Sequence, residues 1–246
     1  MTIAIQLYSV RDDLKRDYEG TLRKIARMGY THVEMASEYN GAPEKAAALL
    51  NQLGLKVCSA HEAPPVGKDK NRVLETLATL GTDTYVLPWK SPDHFQSLDG
   101  VRRVCDELNE ADANARAVGM RVAYHNHHFE CEAWKDGTLP LFKMLELLAP
   151  TVLLEVDVYW AQTGGVDAAQ LVQQLGARAA LLHMKDGPAN TTDPMVALGE
   201  GVMNFPAIIQ ASASDLFIVE LDRCATDMLE AVEKSYHYLK GVLHGR

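Results

Sequence analysis

The sequence predicts a parallel (β/α)8 barrel, and three observations carry that prediction. Short apolar runs alternate with longer amphipathic segments eight times along the chain. Glycines at 29, 54, 81 and 119 each stand just past a helical segment and directly before a strand, where a left-handed residue ends the helix. In the second half, four apolar runs end in imidazoles and carboxylates, and barrel enzymes keep their chemistry at strand C-terminal ends.

Residues 3–8 read as the first strand, followed by a helix over 18–28. Strand 31–36 precedes helix 43–53, and strand 55–60 precedes helix 69–80. Strand 84–88 is followed by a long helix over 98–118. The fifth unit pairs strand 120–126 with a helix near 139–148. Strand 152–157 precedes helix 167–175, strand 178–185 a helix near 205–211, and strand 216–221 a helix over 227–243. A doubly wound open sheet is the alternative, weakened because polar residues end most strands rather than clustering at one switch point. The longest irregular stretch, 187–203, carries Gly, Pro, Asn and Thr and reads as an active-site loop after strand seven. No linker or low-complexity segment divides residues 1–246, so a single barrel domain is expected.

The bulk properties agree. A hydrophobic fraction of 47% can fill a large core. A net charge of −9 argues against unaided binding to a phosphate backbone. The first residues, MTIAIQLYSV, have no basic leader followed by a cleavage site, and no apolar run reaches the roughly 18 residues of a membrane span. Four scattered cysteines without C-x-x-C spacing read as reduced thiols. A cytoplasmic protein with no membrane and no nucleic-acid partner is the expectation.

The four polar-ended runs are RVAYHNHH (121–128), VLLEVD (152–157), ALLHMKD and FIVELD (217–222). Alternate residues of a strand share a face, which pairs His125 with His127, Glu155 with Asp157, His183 with Lys185 and Glu220 with Asp222. His128 then packs outside. Mixed carboxylate and imidazole ligation suits Mn, Co, Zn or Mg. Asp157, His183 and Glu220 stand on separate strand ends, and His125 or His127 can supply a fourth ligand. A lone charged residue also ends a strand simply because strand ends meet water; four together favour a shared metal. His125 and His127 can also serve as bases near neutral pH. Lys185 suits an oxyanion or a sugar hydroxyl, or an ion pair with Glu155 or Asp222. Glu34 and His61 end strands two and three, across the barrel from the expected metal, and suit hydroxyl recognition or proton transfer. Trp160 and Trp89 stand beyond strands six and four and can stack on a sugar's C–H face.

In their order and spacing, IQLYSVRDDL, YHNHHFE, LEVDVYWAQTGGVD, LLHMKDG, LGEGVMNFP and FIVELD resemble the xylose-isomerase-like TIM-barrel superfamily, within it the sugar phosphate isomerases/epimerases. The resemblance implies one divalent metal ion (Mn, Mg, Co or Zn) held at the ends of strands five to eight, usually by Glu, Asp, His and Glu. By position, Asp157, His183 and Glu220 match the last three. Strand five departs from the pattern by offering His125 where the family has Glu. The symmetrical scheme of the family's ketose 3-epimerases, in which two metal-bound glutamates exchange the proton, thus lacks one of its glutamates in this chain. Glu130 resembles a later family glutamate that contacts substrate hydroxyls. The resemblance also implies a homodimer or tetramer.

The expected chemistry is metal-assisted proton abstraction beside the carbonyl of a keto-sugar or related polyol. Glu220 or a strand-five histidine takes the proton, and His61, Glu34 or Lys185 returns it or protonates a leaving hydroxyl. Isomerase or epimerase is the leading outcome, and a dehydratase or 3-keto-glycoside lyase is the runner-up. A catalytically inactive sugar-binding barrel is the rival from another class. Metal-dependent phosphodiester hydrolysis is disfavoured. The family's endonuclease continues its sixth strand as Asp-x-x-His, where this chain has Asp157-Val158-Tyr159-Trp160.

Overall fold

Strands of four to six residues, buried at nearly every position, form when both faces of a sheet are covered. The computed structural model, which describes residues 1–37 and 39–244, places eight of them in one closed parallel barrel in sequence order. They are β1 (Thr2–Gln6), β2 (His32–Met35), β3 (Lys56–His61), β4 (Thr84–Leu87), β5 (Arg121–His125), β6 (Leu153–Asp157), β7 (Ala179–Met184) and β8 (Leu216–Val219). The family-level expectation of an eight-unit barrel holds, with each strand end within about two residues of the sequence reading.

The expected outer helices form as α2 (Tyr18–Met28), α3 (Pro43–Gln52), α4 (Lys70–Leu80), α5 (Leu98–Arg116), α6 (Pro140–Leu147), α8 (Ala168–Leu175), α9 (Phe205–Ala211) and α10 (Met228–His244). Where the sequence reading began a helix at Asp167 or Asp227, those residues are caps. Asp167 accepts from Gln170 N at 2.8 Å and Asp227 from Glu230 N at 2.9 Å. Two short helices were not expected. The first, α1 (Arg11–Arg16), follows a 3-10 turn over Leu7–Val10 and buries only Leu14, too little for a helical period to show. The second, α7 (Val158–Thr163), starts on the residue after β6. Its β-branched and aromatic opening reads as more strand, but the Asp157 side chain caps Trp160 N and turns the chain into a helix.

Two cores result. The larger lies between the sheet and the helices. The smaller, Ala4, Val86, Ala123, Leu181 and Ile218, fills the inside of the barrel. Two residues further along their strands, on the same face, come Gln6, His125, His183 and Glu220. The barrel interior is therefore layered: an apolar floor, then a buried polar layer opening at the C-terminal end. All four cysteines are free thiols, and among the described residues no helix is long and apolar enough to cross a membrane.

Candidate metal centre and active site

The polar layer is built by strand register. His125 stands opposite Glu155, and Asp157 opposite His183. Register shifts fall between Val33 and Glu34 on β2 and between Leu154 and Glu155 on β6. Irregularities of this kind re-aim the side chains next to them. Both precede a glutamate that is wholly buried inside the barrel.

Glu155 Oε2 lies 2.7 Å from His61 Nε2, 3.0 Å from His125 Nδ1 and 3.1 Å from His183 Nε2. Glu34 Oε1 lies 2.6 Å from His183 Nε2 and accepts from Gln6 Nε2 at 2.8 Å, while its Oε2 accepts from Ser59 Oγ at 2.6 Å. On the other side of His183, Nδ1 lies 2.7 Å from Glu220 Oε2. Lys185 Nζ sits 2.8 Å from Glu220 Oε2, 2.9 Å from Asp157 Oδ2 and 3.0 Å from Asp222 Oδ2.

Ionisation follows from these contacts. Burial works against a charge on His183, but Glu155, Glu34 and Glu220 outweigh it and raise its pKa well above the usual range. Burial likewise opposes ionisation of Glu220, yet Lys185 and His183 hold it well below a free carboxylate. Asp157 is pushed up to about 6 by burial, only partly offset by Lys185. Burial lowers His125 to about 3, leaving it a neutral imidazole with a lone pair to donate.

The four residues expected to hold metal do converge. One ligand atom from each of His125, Asp157, His183 and Glu220 lies within 4.8 Å of every other. A second set, His61, His125, Glu155 and His183, meets the same limit. Two imidazoles with two carboxylates suit a divalent first-row ion or Mg. Asp157 Oδ2 also fits: it is buried and accepts no hydrogen bond, with the Lys185 ammonium 2.9 Å away.

Above the layer opens a cavity of about 680 Å³ lined by His61, His125, His127, Trp160, Lys185 and Glu220, with Trp89, Tyr8 and Glu62 among its other walls. A 570 Å³ groove at the opposite end of the barrel, walled by Thr2, Lys56 and Arg121, holds no comparable set of convergent groups. The expected substrate-side residues divide on this geometry. His61, Trp160 and Lys185 reach the cavity. Glu34 does not: it is buried and bonded to His183, so it orients that ring rather than meeting a hydroxyl. Glu34 and His61 are also not across the barrel from the metal set, since the His61 and His183 rings stack at 5.6 Å. Glu130 is equally remote from the cavity. It accepts from the Tyr124 hydroxyl and, at 2.9 Å, from His127 N, fixing the turn after β5, and burial raises its pKa to about 8. Lys185 pairs with Asp222, as one expected alternative had it, and not with Glu155. His127 Nδ1 is buried without a partner, its ring stacked on Phe129. His128 is half-buried beside Trp160.

The profile of the xylose isomerase-like TIM barrel family matches residues 22–220. The chain belongs to that family. Among its relatives, an inosose dehydratase from Geobacillus kaustophilus is 24% identical over 190 residues, 67% of this chain. The match spans 60% of that relative's length. A sugar phosphate isomerase/epimerase from Parabacteroides distasonis superposes with a TM-score of 0.79 at 25% identity, covering 97% of this chain and 93% of its own. The IolI protein with a bound zinc atom shares the fold at a TM-score of 0.72 and 17% identity, covering 99% and 98% of the two chains. Family members thus include sugar isomerases/epimerases and dehydratases.

Residues missed in the sequence were Gln6, Ser59, Glu62, Asn126 and Asp186, together with Glu155 as a site member. Glu155 carried a signal, since it shares a face with Asp157. Asn126 did not: its amide spans to β6, where Oδ1 accepts from Asp157 N at 3.0 Å. Asp186 gathers the loop over 187–203. Its Oδ1 accepts from Gly187 N at 2.9 Å and Met203 N at 3.1 Å, its Oδ2 from Gly199 N at 2.8 Å and Gly201 N at 3.1 Å.

Proposed function

We propose that the protein is a metal-dependent isomerase or epimerase of a keto-sugar or related polyol, acting by proton abstraction next to a carbonyl. The observation that carries this reading is the convergence of His125, Asp157, His183 and Glu220 within 4.8 Å, beneath a 680 Å³ cavity. One divalent ion (Mn, Mg, Co or Zn) held there supplies Lewis-acid polarisation of the carbonyl and neighbouring hydroxyl oxygens. Zinc is the first to try, given the IolI structure.

The chain's own groups divide the remaining work. Glu220 faces the cavity and is kept ionised by Lys185 and His183, so it can take the proton from carbon. His127, neutral and unpartnered at Nδ1, is the second candidate base. Lys185 carries a proton it can give back from beside Glu220, and His61 can do so from the β3 side. Glu34 holds His183 by Nε2, the carboxylate–imidazole support common behind metal-bound histidines. Trp160, with Lys185 Nζ 5.7 Å from its ring centroid, gives a platform for a sugar ring.

Elimination is the second reading, favoured by the charged donor Lys185 at the cavity wall and by the relative named inosose dehydratase. The same proton leaves carbon, a β C–O bond breaks, and the departing oxygen takes a proton from Lys185 or His61. The substrate side is a small sugar, without nucleic acid or membrane, in a cytoplasmic protein that forms a homodimer or tetramer.

The test is metal content of the purified protein, followed by proton NMR in D2O with a panel of keto-sugars. About one ion per chain and metal-dependent exchange of a C–H beside the carbonyl are expected. Absence of exchange with every keto-sugar at full metal loading would sink the reading, and the product separates epimer, isomer and alkene.

A further inference from the structure

The cavity has two unlike halves. The inner half presents His61, His125, Lys185 and Glu220, a surface for hydroxyl and carbonyl oxygens. The outer half presents the less buried Pro64, Pro88, Trp89 and Tyr8. Among the described residues six large hydrophobic side chains stand exposed, and two of them are aromatic: Trp89 at 53% and Tyr8 at 43%. Both line this one cavity. Scattered exposed apolar residues need no explanation, but two exposed aromatic rings on different walls of one polar cavity, Tyr8 just past β1 and Trp89 just past β4, mark it as a binding surface.

Tyr8 is also held in place. The Arg11 guanidinium lies 4.0 Å from its ring centroid and donates to Tyr8 O at 2.7 Å and to Asp222 O at 2.8 Å. The exposed ring is thereby tied to the backbone of the residue that pairs with Lys185. A ring fixed before binding loses little freedom when a ligand covers it. At about 680 Å³ the cavity falls within the range of roughly 300–1,000 Å³ that suits drug-sized ligands, more room than one sugar ring requires.

The geometry points to a subsite in the outer half for a flat apolar group carried on the sugar, namely an aryl aglycone held at the mouth between the walls that carry Trp89 and Tyr8. This rests on the keto-sugar reading for its inner half and names the substrate class as an aryl keto-glycoside. In the elimination branch the balance closes without a co-reactant. The C–H bond beside the carbonyl and the C–O bond to the aglycone both break. A C=C bond forms, the carbon-bound proton goes to the base, and the aglycone leaves as a phenol with the acid's proton.

The test compares phenyl and methyl 1-thio-β-glycosides, which resist cleavage, as gluco, galacto and xylo pairs, by calorimetry on the metal-loaded protein. In at least one pair the phenyl compound should bind about tenfold or more tightly than the methyl compound. Trp89→Ala and Tyr8→Ala should each cut that ratio to below about threefold, whereas Tyr8→Phe should retain it. Phenyl and methyl compounds binding alike in all three pairs, or not at all, would overturn the subsite. So would a ratio unmoved by both alanine variants. Deuterium exchange with methyl 3-keto-glycosides probes the inner half separately. Lost exchange with a surviving phenyl preference defeats the chemistry alone, and exchange without the preference defeats the subsite alone.

Discussion

Lys185 carries its ammonium 2.9 Å from Asp157 Oδ2, within the set of groups assigned to hold a metal ion. An ion bound there would therefore compete with the ammonium for the same carboxylates, leaving Asp222 as the partner of Lys185. Replacing it as Lys185→Met should leave Asp157 without its ammonium partner and Glu220 with His183 alone. The metal-free variant should lose about 3–5 kcal/mol of stability, as broken buried ion pairs do, and added ion should restore it. Calorimetric titration with zinc should show tighter binding than in the parent. Equal affinity and unchanged stability would mean the lysine and the ion do not share these carboxylates.

The two overlapping ligand sets predict different outcomes for one substitution. Under the assigned set, Asp157→Ala and His183→Ala release the ion, whereas His61→Ala keeps it and loses turnover. If His61→Ala released the ion while Asp157→Ala did not, the deeper set with Glu155 would be the seat. Elemental analysis of the three purified variants decides. Glu220→Gln should slow proton exchange far more than it changes stability, and exchange at the parent rate would remove Glu220 as the base.

Glu130 gives a pH signature away from the ligands. Burial raises its pKa from 4.5 to about 8 in the fold. Between those values the folded chain holds a proton that the unfolded chain has lost, so this group's contribution to stability falls as pH rises through that window. The full effect by pH 8 is on the order of 3–5 kcal/mol. Urea unfolding of the metal-free protein at pH 5 and pH 8 should show this decline, and Glu130→Gln should flatten it. Parallel profiles for the two proteins would show that Glu130 titrates normally.

Asp186 should behave as the anchor of the 187–203 loop. Asn at this position turns two of the four accepted N–H contacts into clashes between donors. A loss of roughly 2–4 kcal/mol is expected from charge-assisted bonds of this kind. Faster hydrogen exchange at Gly199, Gly201 and Met203 should accompany it. A Cβ on Gly201 would also run into Asp186 Oδ1, so Gly201→Ala should reproduce the effect. Unchanged exchange in both variants would refute the anchor.

What was legible in the sequence was whatever strand alternation and helix punctuation encode. Period two put His125, Asp157, His183 and Glu220 on inward faces, and the structure brings them together. Alternation says nothing about depth, however. Glu34 and Glu130 look like rim carboxylates in the sequence, yet Glu34 lies under the metal set and Glu130 under a turn. The register shifts before Glu34 and Glu155 leave no mark in the residue pattern. Asp186 was invisible because its four partners are backbone groups of a loop without a period. Asp157 was read as a ligand but not as the start of α7, since strand and helix there share one residue.

That shared residue limits how the centre can change. Only short side chains with an acceptor oxygen, Asp, Asn, Ser or Thr, cap a helix well, and of these only Asp also offers a charged donor to a cation. A chain that drifted to His or Glu at position 157 would keep a donor atom for a cation but lose the cap that turns the chain into α7 and places Trp160 at the cavity. Attempts to retune this barrel for a softer or harder ion therefore have room at His125 and Glu220, and none at Asp157.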